Sequence, residues 1–172
     1  RAAKLALNHE KPVLGVNFGR LGFLTCIEPE RVGLLENIIL GNTKITLEEV
    51  QQAAKEIGIH DFIMRLPKGY LTEVNERGAS LSVGQRQLIS FLRAYIYNPE
   101  ILVLDEATSS IDTESEELIQ TATDKLTEGR TSIIIAHRLA TIQNADQILV
   151  MDNGIIVEAG NHEELISNRG AY

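Results

Sequence analysis

ILVLDEATSSID, residues 101–112, runs four aliphatic side chains into two adjacent carboxylates and then into a short polar turn. Four apolar residues without alternation are the pattern of a strand covered on both faces, the kind found in parallel sheets. Ligands of open α/β folds gather at the carboxyl edge of such a sheet, which is where Asp105 and Glu106 fall. An isolated Asp-Glu pair at a strand end is usually a solvated loop, so the flanking sequence has to decide.

Upstream, LSVGQRQL at 81–88 opens a stretch with Leu88, Phe91, Leu92 and Tyr95 on one helical face, closed by Asn98-Pro99. Ser82 offers a hydroxyl and Gly84 leaves room for close backbone approach. A helix starting there presents free N–H groups and a positive dipole end to an anion. Taken alone, Ser82 would be a plain helix cap. Downstream, IIIAHRLAT at 133–141 places a second apolar strand, residues 131–136, in front of His137. QILVMD at 147–152 and IIVEAG at 155–160 flank Asn153-Gly154, a hairpin signal, and their expected role is packing. Asp112-Thr113 begins another helix with acidic residues in its first turn, so capping is a competing role for Asp112.

With 172 residues the chain is long enough for one domain with a substantial core. Its composition, 44% hydrophobic and 23% charged, is that of an ordinary folded protein. The net charge of −8 argues against a nucleic-acid groove. The longest apolar runs are too short for a membrane span, so a membrane role needs another segment or chain. Cys26 excludes an internal disulfide and is expected to be a small buried hydrophobe. The start at Arg1, without Met or a signal-peptide pattern, reads as a piece of a longer product.

The first thirty residues have a character of their own. Residues 2–10 read as a short helix and VLGVN at 13–17 as a buried strand, followed by NFGRLGFLT. Asn17, Gly19, Leu21, Gly22, Phe23 and Leu24 resemble the N-x-G-x-L-G-F-L run of NAD kinase. That family's GGDGT loop, which carries its catalytic Asp, does not occur in these residues. From Gly33 the text changes to GLLENIILGN and an amphipathic helix over 47–58. There Thr46 and Glu49 fit a capping box, and Leu47, Val50, Ala54 and Ile57 form an apolar stripe.

From Gly33 to Tyr172 the four motifs in order are similar to the latter part of an ABC exporter nucleotide-binding domain. The resemblance makes Ser82, Val83, Gly84 and Gln85 the signature loop, with Val83 where Gly is commonest, contacting nucleotide in trans. It makes Asp105 the Walker B ligand of Mg²⁺, usually through water, and Glu106 the general base. Ser109, Ser110 and Asp112 match the D-loop, which crosses to the other subunit, and His137 the residue at the γ-phosphate. TEVNERG at 72–78 looks like the loop that touches the transmembrane partner, with Asn75 replacing a more usual Gly. Asn is the residue that best tolerates a left-handed backbone in its place.

The expected fold is therefore α/β: a truncated P-loop, RecA-like parallel sheet with an ABC helical subdomain, preceded by a helix-strand segment. The expected division is 1–30 and 33–172, the latter with a helical part at 34–98 and core at 99–172. No GxxxxGK[ST] loop and no Q-loop occur in the 172 residues. The resemblance implies ATP and Mg as cofactors, and a second nucleotide-binding domain paired head to tail. It also implies exporter transmembrane domains as partners, placement at the cytoplasmic face of the membrane, and no activity from this chain alone. A fragment phosphorylating NAD, or a non-catalytic docking module, are the other readings.

Overall fold

The computed structural model describes residues 13–17, 31–75, 81–105, 113–136 and 139–172. The expected helix at 2–10, Cys26, and the glycine-rich stretch after Asn17 lie outside the described residues. The chain forms two compact units, Arg1–Ile134 and Ile135–Tyr172.

In the first unit β1 (Val13–Asn17) pairs in parallel with β4 (Ile101–Asp105), Val13 opposite Ile101 and Asn17 opposite Asp105. The sheet continues to β5 (Thr131–Ile135), in the order β1-β4-β5. VLGVN is thus a sheet strand, as its unbroken apolar sequence predicts. A separate antiparallel pair joins β2 (Arg31–Gly33) to β3 (Glu73–Asn75). Asn75 is opposite Arg31 in extended backbone and does not use the left-handed conformation that Asn tolerates.

The helices between these strands are α1 (Leu34–Ile39), α2 (Leu47–Glu56), α3 (His60–Met64) and α4 (Val83–Tyr97). After β4 comes α5 (Thr113–Thr127). The start of α2 carries the capping box expected of Thr46 and Glu49. The Glu49 N–H donates to Thr46 Oγ1 at 3.2 Å and the Thr46 N–H donates to Glu49 Oε2 at 2.7 Å. Val50, Ala54 and Ile57 are fully buried and Leu47 packs beside them. Leu34 and Ile38 of α1, Leu88, Phe91 and Leu92 of α4, and Ile119 and Leu126 of α5 join the same core. Asn98 ends α4 in the left-handed conformation, φ 41°, its N–H donating to the Tyr95 carbonyl. The Pro99 that follows lacks a peptide N–H, so the helix cannot resume.

Two strands are less covered than their sequences suggest. On β4, Leu102 and Leu104 are buried while Ile101 and Val103 are half-buried. On β5, Ile133 and Ile135 are 51% and 52% exposed, and only Ile134 packs against the core. The strand at 131–136 is therefore not buried on both faces. It lies at the end of the strand order with β4 as its one neighbour among the described strands, and the side-chain row of Thr131, Ile133 and Ile135 is exposed.

The second unit contains α6 (Leu139–Gln143), the antiparallel pair β6 (Ile148–Asp152) and β7 (Ile155–Gly160), and α7 (His162–Asn168). Asn153 and Gly154 take φ values of 48° and 82°, the two positive angles that a tight hairpin turn requires. Asn161 caps α7, accepting from the Glu164 N–H at 2.9 Å. Instead of packing, Leu149, Met151, Ile155, Ile156 and Val157 are exposed, and Leu165 is the buried side chain of α7. A two-stranded ribbon has two faces, and a seven-residue helix is too short to cover both. Ala171 and Tyr172 return to β7, their N–H groups donating to the Glu158 carboxylate at 2.6 and 3.1 Å.

Candidate functional site

The predicted site residues that fall among the described residues lie at two element ends. Ser82, Val83, Gly84 and Gln85 form the entry to α4, and Asp105 is the last residue of β4. Glu106, Ser109, Ser110, Asp112 and His137 lie outside the described residues.

At Ser82 the backbone is extended, φ −63° and ψ 167°, and turns into helix at Val83. The Gln85 N–H donates to Ser82 Oγ at 3.2 Å, and the Ser82 N–H donates to Gln85 Oε1 at 3.0 Å. This is a reciprocal capping box with Gln in the third position. The capping role and the anion-facing role therefore use the same atoms. Ser82 and Val83 are exposed while Gly84 is buried, so the hydroxyl faces outward and the glycine sits against the protein. Arg86, one residue further, donates from Nη1 to the Leu81 carbonyl at 2.6 Å and so fastens the residue preceding the cap. The N-terminus of a fifteen-residue helix carries its partial positive charge here.

Asp105 is half-buried at the carboxyl end of β4, with Asn17 of β1 opposite it. No cluster of three or more His, Cys, Asp or Glu side chains able to hold a metal occurs among the described residues. A single carboxylate at a strand end nevertheless suits magnesium, which keeps several waters and takes one or two carboxylates beside phosphate oxygens.

Sequence reading overlooked a polar contact further along α4. Arg93 is only 6% exposed, and its Nη2 donates to Asn37 Oδ1 of α1 at 2.5 Å. Burial pushes its guanidinium pKa down, partly opposed by Tyr97. One turn on, Tyr97 Oη donates to the Ile39 carbonyl at 2.6 Å. The signal available was a lone Arg inside ISFLRAYIY, on a helix whose neighbouring positions are apolar.

The sequence profile of the ABC transporter family matches residues 16–109, more than half of the chain. The chain belongs to the ABC transporter family. It is 58% identical over 137 residues to a protein of Staphylococcus aureus strain NCTC 8325 named as a multidrug export ATP-binding/permease protein. The corresponding protein of the bovine strain RF122 is 57% identical over the same length. Each alignment covers 80% of this chain and 24% of the relative, so the chain spans about a quarter of the relatives' length. A solved bacterial Atm1-family ABC exporter with ATP bound superposes with a TM-score of 0.70 at 44% identity. That match covers 81% of this chain and 24% of the exporter chain. The fold is accordingly the mixed α/β, RecA-like core and helical subdomain of an ABC exporter ATP-binding domain.

Proposed function

We propose that this ABC family chain is the signature-bearing part of an ATP-hydrolysing domain that drives an exporter. The observation that supports it best is the entry to α4. There Ser82–Gln85 present a hydroxyl and a helix N-terminus within a fold shared with an exporter solved with ATP bound.

In this reading the signature loop closes on ATP held by a second nucleotide-binding domain, the two pairing head to tail about a two-fold axis. The nucleotide's phosphate oxygens take over donors that the capping box already employs, so Ser82 and Gln85 exchange one acceptor for another. Asp105 would hold Mg²⁺, usually through water, and the ion when bound offsets charge on the phosphates. Glu106 acts as general base, His137 meets the γ-phosphate, and Ser110 and Asp112 reach across the domain pair. These roles rest on the motifs. The transmembrane domains of the exporter are the other partner, and the chain works at the cytoplasmic face of the membrane.

No phosphate loop occurs within the 172 residues, so the chemistry this chain offers by itself is the half-site presented in trans. Mixed with a matching domain whose phosphate loop is intact and whose signature is ruined, it should restore ATP-dependent pairing at one of two sites. Fluorescence transfer between the two proteins measures this. Ser82→Arg should abolish pairing by bulk at the cap, and Glu106→Gln in this chain should leave it unchanged. Pairing indifferent to ATP, or lost equally in both variants, refutes the reading.

A further inference from the structure

The signature helix α4 lies on an apolar bed, yet it buries two polar side chains, Gln87 at 1% exposure and Arg93 at 6%. Arg93 is the more demanding. Its Nη2 has the Asn37 amide oxygen as acceptor, while its Nε is buried with no acceptor. A buried guanidinium satisfied this incompletely is a poor way to stabilise a fold, and an apolar side chain of similar volume would serve at least as well. Stability does not account for the arginine.

Geometry does. Contact between apolar surfaces is non-directional, so a helix packed through Leu88, Phe91 and Leu92 alone can roll and slide on its neighbours at small cost. Hydrogen bonds have preferred lengths and angles. Arg93 and Tyr97 are one helical turn apart, and both reach α1, at Asn37 and at the Ile39 carbonyl. Two directional bonds from one face fix the rotation of α4 and its position along its axis. A slip of one residue would turn the helix by roughly 100° and shift it by about 1.5 Å. The same helix begins at Ser82, about 16 Å from Arg93 along the axis.

We propose that the Arg93–Asn37 pair, seconded by Tyr97, is a positioning device that aims the N-terminal turn of the signature helix at the partner domain's nucleotide. The proposal rests on the reading of Ser82–Gln85 as phosphate-facing. It makes Arg93 and Asn37 positioning residues, with no contact to ATP of their own.

The decisive variant replaces both partners, Asn37→Leu with Arg93→Met, since removing one alone would strand a buried polar group and threaten folding. The double variant should melt at or above the temperature of the parent chain. Its ATP-dependent pairing with the phosphate-loop-intact domain should weaken at least tenfold, because angstrom-scale misplacement of a contact group has effects of about that size or more. Asn37→Asp keeps the acceptor and should keep pairing. Residual dipolar couplings of the Val83–Arg86 amides, referred to those of Ile101–Asp105, should show α4 turned in the double variant and unmoved in Asn37→Asp. A double variant that folds, pairs like the parent and keeps its α4 orientation overturns the proposal. Failure of the parent chain itself to pair would sink the phosphate-facing reading, while the dipolar couplings would still decide whether the pair orients the helix.

Discussion

The Tyr95 phenol donates to the Glu56 carboxylate at 2.8 Å, tying α4 to the last turn of α2. The bond draws the two groups' titrations apart. Glu56 is held below the usual carboxylate range, first by the Gln52 side-chain amide and then by Tyr95, with burial opposing. Tyr95 is raised above the usual phenol range, chiefly by the bond to Glu56. A lowered carboxylate contributes stability that is present above its unfolded pKa and is lost as pH falls through the folded value. A raised phenol contributes stability that is present below its unfolded pKa and is lost as pH rises through the folded value. Urea midpoints across the pH range should therefore fall at both ends. Tyr95→Phe should flatten the alkaline limb and part of the acid limb, leaving the Gln52 contribution.

Two substitutions of very different size test where the stability lies. Leu92 is fully buried in the core cluster, so Leu92→Ala should cost about 2 to 5 kcal/mol in denaturant unfolding, with a cavity term included. Thr46→Ala removes a side-chain cap at an exposed helix start and should cost about 1 kcal/mol. A Thr46→Ala cost equal to the Leu92→Ala cost would contradict the placement of α2 and α4 in one core.

The chain by itself should not turn over MgATP above background. A phosphoryl-transfer site draws much of its positioning and charge neutralisation from a backbone cradle and lysine, and no such loop occurs in these residues. Phosphate release should be the same for the parent chain and for Glu106→Gln. A turnover that Glu106→Gln removes would show that a phosphate site forms by another route.

Gly170 lies hard against Glu158. A Cβ built on it would fall 1.6 Å from Glu158 Oε1, the atom that accepts from the Ala171 N–H. Gly170→Ala should therefore push the carboxylate aside, with little effect on global stability because a glutamate side chain is flexible. The Ala171 and Tyr172 amides should lose their acceptors and exchange faster with solvent, while the amides of β6 keep their protection.

Local signals in the sequence were the legible ones. Thr46-x-x-Glu49 foretold a cap, the 47–57 stripe a buried face, Asn153-Gly154 a turn, and VLGVN a strand, because each depends on residues a few positions apart. Exposure was less legible. TSIIIA is as apolar as ILVLD, but whether Ile133 is covered depends on what packs against that face of the sheet, and periodicity carries no information about that. The Arg93–Asn37 bond spans 56 positions and follows from how α1 packs on α4, which no window along the chain contains. The motif at Ser82–Gln85 is local in the sequence, and the structure adds that the Gln85 side chain accepts from the Ser82 N–H.

The uncovered row on β5 has a practical corollary for handling the chain in solution. TSIIIA is a short uncharged segment of high β-propensity without proline, the composition that favours stacking of like strands between molecules. Ile133 and Ile135 lie open on a strand with one neighbour among the described strands, which is the arrangement soluble sheets ordinarily protect with charge or cover. Concentrating the protein should therefore set its folded form in competition with fibre-like self-assembly. Ile133→Lys should raise the concentration at which light scattering begins while leaving the partly buried neighbour Ile134 in place.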